Sequence, residues 1–167
     1  MTKTPETLLY PHVVHWLKRL LGDMAKGSVD VRDTHNVYLS KFLTDHGIAN
    51  LFSDSSTYEI KVDITGIIRQ KRGTAQLAFV ECKVNPISLK DISQLLGYSR
   101  VARPVMSLIT SPQGVSDGVL SLLTTFGRSD VLEYGNGRRI TVATWDPQRN
   151  QIDYATILPR GQEVWVR

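Results

Sequence analysis

The chain is poor in cysteine, and this scarcity limits the kinds of site that it can contain. Its 167 residues include one cysteine, Cys82. An internal disulfide is therefore impossible, and metal sites built from several thiolates are excluded. The composition is otherwise ordinary for a globular protein, with 41% hydrophobic and 22% charged residues. We expect a protein of a reducing cytoplasm.

Long apolar segments are also missing. No apolar run approaches the roughly 18 residues that a membrane helix needs, and the N-terminus lacks the uninterrupted apolar centre of a signal peptide. We therefore expect neither export nor a membrane partner. The chain has a basic balance instead, with a formal net charge of +4, which is compatible with a polyanionic partner such as nucleic acid. Its length fits a single domain over residues 1–167.

The first third of the chain predicts two helices and a short strand. Thr4, Pro5 and Glu6 form a helix start, with a hydroxyl cap, a first-turn proline and an acid at the positive end of the helix dipole. Apolar residues then recur at helical spacing until Gly22, and the opposite side of this helix is basic. A short strand around residues 29–31 and a helix ending at Gly47 follow.

Strand and helix patterns alternate through the rest of the chain. Period-two alternation predicts a strand over residues 58–65, a turn around Arg72 and a returning strand over residues 77–84. Ser88 caps the next predicted helix, which ends before Pro104 and has Leu89 and Val101 among its apolar positions. Four further segments are predicted: a buried strand over 105–110, a helix over 114–127, a strand over 130–134, and a final hairpin of 138–145 with 152–158. This order predicts a mixed α/β sheet flanked by helices.

The hairpin around Arg72 brings two carboxylates together. Asp63 and Glu81 are equidistant from the turn, so they should lie opposite each other with β-carbons about 5 Å apart. Carboxylates at this distance repel each other unless a proton or a cation lies between them. Magnesium fits best, because it prefers oxygen ligands and usually takes one or two carboxylates together with water and substrate phosphate. Lys83 shares a strand face with Glu81, where it can orient or help deprotonate an attacking water.

These residues resemble a known superfamily. A strand that contains Asp63, a turn, a strand ending in "ECK" and a following helix are similar to the PD-(D/E)xK, or restriction-endonuclease-like, nucleases. Gln94 and Tyr98 in "QLLGY" match the Q-x-x-x-Y signature of the RecB-like branch. The resemblance implies a restriction-endonuclease-like core of αβββαβ order, here with an extra C-terminal β-hairpin. It also implies hydrolysis of phosphodiester bonds in DNA with Mg2+, for which Mn2+ is an acceptable substitute, and products that carry a 5′-phosphate.

The resemblance assigns a role to each site residue. It implies that the carboxylates of Asp63 and Glu81 and the backbone carbonyl of Cys82 ligate the metal. It also implies that Lys83 is the catalytic lysine and that Gln94 and Tyr98 support the site. Two features depart from the superfamily pattern. Val62 stands where the superfamily name has proline, and the acid or histidine of the first helix stays open between Glu6, His12 and His15. Glu6 is our first choice as a further metal ligand, although helix capping alone also explains it.

Several of these residues have a plainer interpretation. Asp63 could form an exposed ion pair with Lys61 or Lys83, which is worth about 1 kcal/mol or less. The Cys82 side chain faces the other side of its strand and is typical of a small buried hydrophobe, not of a nucleophile. Tyr98 has the spacing of a core aromatic as well as that of a phosphate contact.

Partners and alternative functions complete the predictions. Basic residues at the hairpin tip and on the helix are candidates for a nucleic-acid path, namely Arg69, Lys71, Arg72, Lys90, Arg100 and Arg103. One alternative function is a catalytically inactive nucleic-acid-binding or assembly subunit with the same fold. Another is a structural interaction domain that acts through the C-terminal hairpin. Trp145 and Trp165 should pack the last strands, whose edge could form a homodimer; the choice between endonuclease and exonuclease stays open.

Overall fold

The protein is built on a six-stranded mixed sheet with helices on its faces. The structure is a computed structural model, and it describes residues 5–162 and 164. Its helices within these residues are α1 (Tyr10–Met24), α2 (Leu39–Asp45), α3 (Leu89–Ala102) and α4 (Asp117–Leu123). Its strands are β1 (Ser28–Asp33), β2 (Ile64–Arg69), β3 (Ala75–Cys82), β4 (Met106–Ser111), β5 (Glu133–Gly135), β6 (Arg138–Arg139), β7 (Thr141–Asp146) and β8 (Gln151–Leu158). Short 3-10 turns lie at Glu6–Leu8, Ala49–Leu51, Ser55–Thr57 and Ser129–Leu132.

The strand order of the main sheet is β1-β2-β3-β4-β7-β8. Strands β1, β2 and β3 form an antiparallel meander, β4 joins β3 in parallel, β7 joins β4 in parallel, and β8 closes the order antiparallel to β7. Strands β5 and β6 form a separate two-stranded sheet. The carboxyl ends of β1, β3, β4 and β7 therefore lie at one end of the main sheet, where β2 begins. In open α/β sheets this is the end at which ligands bind.

The main sheet separates two apolar cores. Helix α1 covers one face, where Leu17 and Leu21 pack in one cluster with Val80 and Cys82 of β3. Helices α2, α3 and α4 supply apolar side chains to the cluster on the other face. Gly66 of β2 permits the close approach of α1, because a β-carbon at this position would lie 2.7 Å from a methyl carbon of Leu21. The sequence thus places α1 directly over the start of β2.

Most of the predicted elements are confirmed, and so is the mixed α/β class. Strand β1 includes residues 29–31, β4 lies where it was expected, and α2 ends two residues before Gly47. The β7–β8 hairpin is confirmed from Thr141 onward, but residues 138–139 of its predicted first strand form β6 in the separate two-stranded sheet. Ile64 pairs with Val80 and Arg69 with Ala75, so the β2–β3 hairpin is centred on Arg72. The Ser88 side chain caps α3 by accepting the backbone N–H of Asp91.

The strand predicted over residues 58–65 is wrong for residues 58–63, because β2 begins at Ile64. The alternation in that segment is real, since Tyr58 and Ile60 are buried while Glu59 between them is exposed. However, the carbonyls of Tyr58 and Ile60 accept backbone N–H groups at the start of α2. The segment therefore packs against a helix and not beside a strand, and period-two burial arises in both situations.

Both predicted ends of two helices and one predicted strand are also wrong. Helix α1 begins at Tyr10, because the predicted helix start at Glu6 is a separate 3-10 turn over Glu6–Leu8. Helix α1 continues past Gly22 to Met24, because the buried Leu21 anchors its last turn. Helix α4 spans 117–123 and not 114–127. The strand predicted over 130–134 is a 3-10 turn followed by β5, which lies outside the main sheet; the Tyr134 hydroxyl donates to the carbonyl of Pro104 just after α3.

Some individual side chains differ from expectation. Leu89 and Val101 of α3 are 51% and 44% exposed, so they do not belong to its buried face. Trp145 is buried as expected, and its ring meets that of Trp16 edge-on at 5.9 Å. The predicted cap Thr4 and the predicted packing residue Trp165 lie outside the described residues. Within the described part of the chain, none of the helices has the length and apolarity required to cross a membrane.

Candidate active site

Two carboxylates meet where β2 begins and β3 ends. The pairing of Ile64 with Val80, continued by one residue, places Asp63 opposite Glu81. The backbone N–H of Asp63 donates to Glu81 Oε2 at 3.5 Å. Both side chains are buried, with Asp63 8% and Glu81 4% exposed. The register predicted for the hairpin is therefore confirmed, and the two acids are neighbours in a largely dry environment.

Asp63 is held by hydrogen bonds from three parts of the chain. The phenol of Tyr10 donates to Oδ1 at 2.7 Å, and the backbone N–H of Cys82 donates to Oδ2 at 2.8 Å. The backbone N–H of Thr34, just after β1, donates to the Asp63 carbonyl at 2.8 Å. The Thr34 hydroxyl also donates to the carbonyl of Val62 at 2.6 Å. The carboxylate is thus oriented by α1 and β3, and the backbone that carries it is held by the residue that follows β1.

Lys83 lies between two carboxylates at the end of β3. Its Nζ is 3.2 Å from Glu81 Oε1 and 3.8 Å from Glu6 Oε2. Its backbone N–H donates to the carbonyl of Thr110 at 2.8 Å, which extends the contact between β3 and β4 by one residue. The side chain is 17% exposed. Glu6, the first choice for the acid of the first helix, therefore lies beside the predicted catalytic lysine.

Burial and mutual repulsion shift the pKa values of these groups. Burial raises the pKa of Asp63, although the Cys82 and Tyr10 hydrogen bonds oppose this. Burial, together with the charge of Asp63, raises the pKa of Glu81 to about 7. Burial would lower the pKa of Lys83, but the surrounding carboxylates outweigh it and raise that pKa. Lys83 is therefore an ammonium at neutral pH, and Glu81 is a carboxyl group that loses its proton with difficulty.

The net charge of the site favours a bound cation. When all are ionised, the carboxylates of Asp63 and Glu81 against the ammonium of Lys83 leave a formal charge of −1. Each carboxylate oxygen has two lone pairs, so the bonds from Tyr10 and Cys82 leave one free on each oxygen of Asp63. In the part of the chain that the structure describes, no group of three or more His, Cys, Asp or Glu side chains could hold a metal ion. Magnesium needs only one or two carboxylates, so these residues fit magnesium.

Comparisons of the chain with protein-family models, with curated proteins and with solved structures found no match. The likeness to the PD-(D/E)xK nucleases thus rests on residues of this chain, namely Asp63, the "ECK" triplet and "QLLGY". The geometry of these residues is the basis for assigning a function.

The two residues of the Q-x-x-x-Y pair bond to each other. Gln94 Nε2 donates to the Tyr98 hydroxyl at 3.1 Å across one turn of α3. Gln94 is exposed, whereas Tyr98 is half-buried against the core below α3. Among the described residues, neither side chain has a hydrogen bond to Asp63, Glu81 or Lys83. Their predicted contact with substrate stays a prediction.

Cys82 has the structural features expected of it. Its side chain is fully buried in the core below α1, and burial raises the pKa of its thiol well above the usual value. A nucleophilic thiolate is therefore disfavoured at this position. Its backbone N–H donates a hydrogen bond to Asp63 Oδ2. The role of its carbonyl as a metal ligand stays a prediction.

The predicted cationic residues are not all near the carboxylate pair. Arg69, Lys71 and Arg72 are exposed at the tip of the β2–β3 hairpin. The tip is at the far end of β2 from Asp63, about 20 Å away at about 3.4 Å per residue. The guanidinium of Arg69 donates to the carbonyl of His46. Three other cations lie on or after α3: Lys90 and Arg100 are exposed along it, and Arg103 pairs with Asp54 at 3.3 Å.

Sequence reasoning missed three residues around Asp63. Tyr10 supplies a hydrogen bond from α1, Thr34 anchors the backbone of Asp63, and His35 lies against Tyr10 with ring centroids 5.1 Å apart. Tyr10 follows Glu6 by four residues, and this spacing was the available signal. The polar run "DTH" at the end of β1 is a weaker signal, which points to Thr34 and His35.

Proposed function

We propose that the protein is a divalent-metal-dependent nuclease of the PD-(D/E)xK type, which hydrolyses phosphodiester bonds in DNA with Mg2+ or, in its place, Mn2+. The observation that carries this proposal is the buried pair of Asp63 and Glu81 with Lys83 beside it. With Asp63 and Glu81 ionised beside Lys83, a site with a formal charge of −1 would repel a phosphodiester unless a cation were bound. The arrangement is therefore best suited to a metal and a phosphate together.

The residues of the site have separate roles in metal binding and in hydrolysis. Asp63 and Glu81 would hold the metal, and the Cys82 carbonyl would be a third ligand. When bound, Mg2+ supplies charge that polarises a phosphoryl oxygen and offsets the charge on the leaving oxygen. The Lys83 ammonium donates hydrogen bonds to the attacking water and offsets the negative charge of the transition state. Its raised pKa favours this orienting role over deprotonation of the water.

Tyr10 acts on the chemistry indirectly. Its pKa is raised well above the usual value by burial and by Asp63, so the phenol keeps its proton and keeps donating to the carboxylate. Together with the Cys82 N–H, it fixes the direction in which Asp63 presents its free lone pairs. Such supporting hydrogen bonds commonly change metal affinity or activity by about 10- to 100-fold.

The order of elements supports a restriction-endonuclease-like core. Apart from α2, which is inserted between β1 and β2, the order of helix α1, the antiparallel strands β1, β2 and β3, helix α3 and the parallel strand β4 is the αβββαβ order of that superfamily. On α3, Lys90, Gln94 and Tyr98 are spaced by four residues and share one side of the helix, where we place the contact with the DNA backbone. Strands β7 and β8 form the extra hairpin.

Cleavage assays test this function. Wild-type protein is incubated with linear, circular, branched and single-stranded DNA in Mg2+, Mn2+ or chelator. We expect cleavage with either metal, none with chelator, and product ends that carry a 5′-phosphate. Glu81→Gln and Lys83→Met should each slow cleavage by at least about 100-fold. Glu59→Gln and Lys61→Met are matched controls, since both residues are exposed just before Asp63, and they should cleave like wild type.

Each other outcome points to a different function. Equal cleavage by wild type, Glu81→Gln and Lys83→Met would contradict a site at these residues. DNA binding by wild type without cleavage of any substrate would favour the inactive binding or assembly subunit. Absence of both binding and cleavage would favour an interaction domain.

A further inference from the structure

A histidine lies at the mouth of the site on a loop that the proposed function does not use. Strand β1 ends at Asp33, and His35 follows two residues later. The Asp33 carboxylate accepts hydrogen bonds from the backbone N–H of His35 and from its ring Nδ1. Because a carboxylate only accepts, Nδ1 must carry the proton. The ring is thereby turned so that Nε2 points away from Asp33, and Nε2 has no hydrogen-bond partner among the described residues.

The loop that carries His35 is bound to the segment that carries Asp63. Thr34 is buried, and its backbone N–H and hydroxyl donate to the carbonyls of Asp63 and Val62. The His35 ring packs against the ring of Tyr10, whose hydroxyl donates to Asp63. The His35 side chain is 30% exposed, so it is open to a bound substrate. Its position next to the carboxylate pair is therefore fixed by three independent contacts.

His35 and Lys83 lie at opposite ends of one chain of contacts. Lys83 bonds to Glu81, Glu81 faces Asp63, Asp63 accepts from Tyr10, and the Tyr10 ring meets His35. In phosphodiester hydrolysis the attacking and leaving oxygens lie roughly in line, on opposite sides of phosphorus. Lys83 contacts the Glu81 side of the carboxylate pair, and His35 is linked through Tyr10 to the Asp63 side, so a water oriented by Lys83 and a leaving oxygen protonated by His35 would be served from different sides of the pair.

We propose that His35 is a catalytic residue, which protonates the leaving 3′ oxygen, and that Asp33 is the positioning residue that orients it. This inference rests on the proposed nuclease function. The water adds its oxygen to phosphorus and releases a proton to solvent. The bond between phosphorus and O3′ breaks, its electron pair moves to O3′, and O3′ takes the Nε2 proton of the doubly protonated ring. The ring regains its proton from solvent after the product leaves.

A substrate with sulfur in place of the leaving O3′ tests this role, because a thiolate leaves without a proton donor. The oligodeoxynucleotide that wild type cleaves is prepared with oxygen or sulfur at the scissile 3′ position, and all reactions contain Mn2+. On the oxygen substrate, His35→Gln should be slower than wild type by about 100-fold or more, and Asp33→Asn by about 10-fold or more. On the sulfur substrate both should approach the wild-type rate. Asn36→Ala, in the same exposed loop, should match wild type on both substrates.

Three results would overturn the inference. Equal losses on both substrates would mean that His35 supports structure only. No loss on either substrate would mean that His35 takes no part, while cleavage by wild type keeps the nuclease function. Wild type that cleaves no DNA at all would remove the proposed function and this inference with it.

Discussion

Glu81 is the residue at which the burial of the site and its charge conflict most directly. It is 4% exposed, it faces Asp63, and its pKa is raised to about 7 by burial and by that neighbour. The ion pair with Lys83 offsets this only in part. In the absence of a cation, the folded protein therefore holds a proton on Glu81 that the unfolded chain would release.

This conflict predicts how stability depends on pH. The Glu81 pKa rises from 4.5 in the unfolded reference to about 7 in the folded protein, so the stability it confers is complete below 4.5 and is lost as pH rises through 7. At about 1.4 kcal/mol per pKa unit the loss is about 3 kcal/mol. We expect the free energy of unfolding of wild type in chelator to fall over this pH window. The fall for Glu81→Gln should be smaller than that of wild type by about 3 kcal/mol. Urea denaturation from pH 4 to pH 8 measures both.

A control variant and added Mg2+ test whether the pH dependence of stability comes from Glu81. Glu59→Gln, at an exposed acid, should follow the wild-type pH dependence. Excess Mg2+ should stabilise wild type near pH 8 more than it stabilises Glu81→Gln. Identical pH dependences for wild type and Glu81→Gln would show that the Glu81 pKa is not raised by folding.

Tyr10→Phe tests the support of Asp63. The substitution removes a buried hydrogen bond to a carboxylate, so we expect the free energy of unfolding at pH 8 to fall by about 1 to 3 kcal/mol. Metal-dependent cleavage should also fall, by about 10-fold or more. Tyr154→Phe is the matched control, because Tyr154 is 48% exposed. If both variants behave alike, the Tyr10 hydroxyl does not position the carboxylate.

Residues of the site were predictable to the extent that local geometry sets them. The apposition of Asp63 and Glu81 follows from their equal distance to the turn, and the Lys83 position follows from strand alternation. Tyr10 and His35 could not be inferred, because their contacts depend on how α1 and the loop after β1 dock on the sheet. Such docking is set by packing of the whole molecule and leaves no short-range pattern.

At the scale of elements, α3 is the helix that carries the candidate substrate contacts. Ser88 and Asp91 form a reciprocal capping box at its start. Ser88→Ala should lower the free energy of unfolding by about 1 kcal/mol. Ser93→Ala, at an exposed position in the same helix, should cause no loss. Thermal and urea denaturation check this, and equal effects of the two variants would contradict a capping role for Ser88.

The Q-x-x-x-Y pair on α3 gives a prediction about function. Gln94 is exposed, so Gln94→Ala should change the free energy of unfolding by no more than about 0.5 kcal/mol. If Gln94 contacts a phosphate, the same change should slow DNA cleavage by about 10-fold or more, since a hydrogen bond to a charged group is worth about 1.5 to 3 kcal/mol. Comparing single-turnover rates with those of Ser93→Ala checks this. Unchanged cleavage by Gln94→Ala would exclude the contact.

Elements were predicted well where burial and turn chemistry agreed. The β2–β3 hairpin, the Ser88 cap and the β7–β8 hairpin are examples. The strand predicted over 58–63 is wrong, because alternation shows which side chains are buried and not whether the backbone pairs with a strand or with α2. The strand predicted over 130–134 is also wrong. The Tyr134 side chain is buried because its hydroxyl donates to the Pro104 carbonyl after α3, and not because its backbone pairs in the main sheet.

At the scale of the whole molecule, the charges of the chain and of the site have opposite signs. The chain has a formal net charge of +4, whereas the ionised side chains of Asp63, Glu81 and Lys83 in the site sum to −1. A polyanion attracted to the protein therefore needs a cation at the point of reaction.

The sequence predicted the mixed sheet but not that β7 lies next to β4, because strand neighbours distant in sequence are chosen by global packing. Homodimer formation through β8, an edge strand of the main sheet, stays a prediction.

Equilibrium binding of Mn2+ tests the central claim most directly, because it requires no knowledge of the substrate. Isothermal titration of wild type, Asp63→Asn, Glu81→Gln and the control Glu59→Gln measures affinity and stoichiometry at the carboxylate pair. We predict that wild type and Glu59→Gln bind Mn2+ alike and that Asp63→Asn and Glu81→Gln bind it at least about 10-fold more weakly. Equal binding by all four proteins, or no binding by wild type, would contradict a metal site at Asp63 and Glu81.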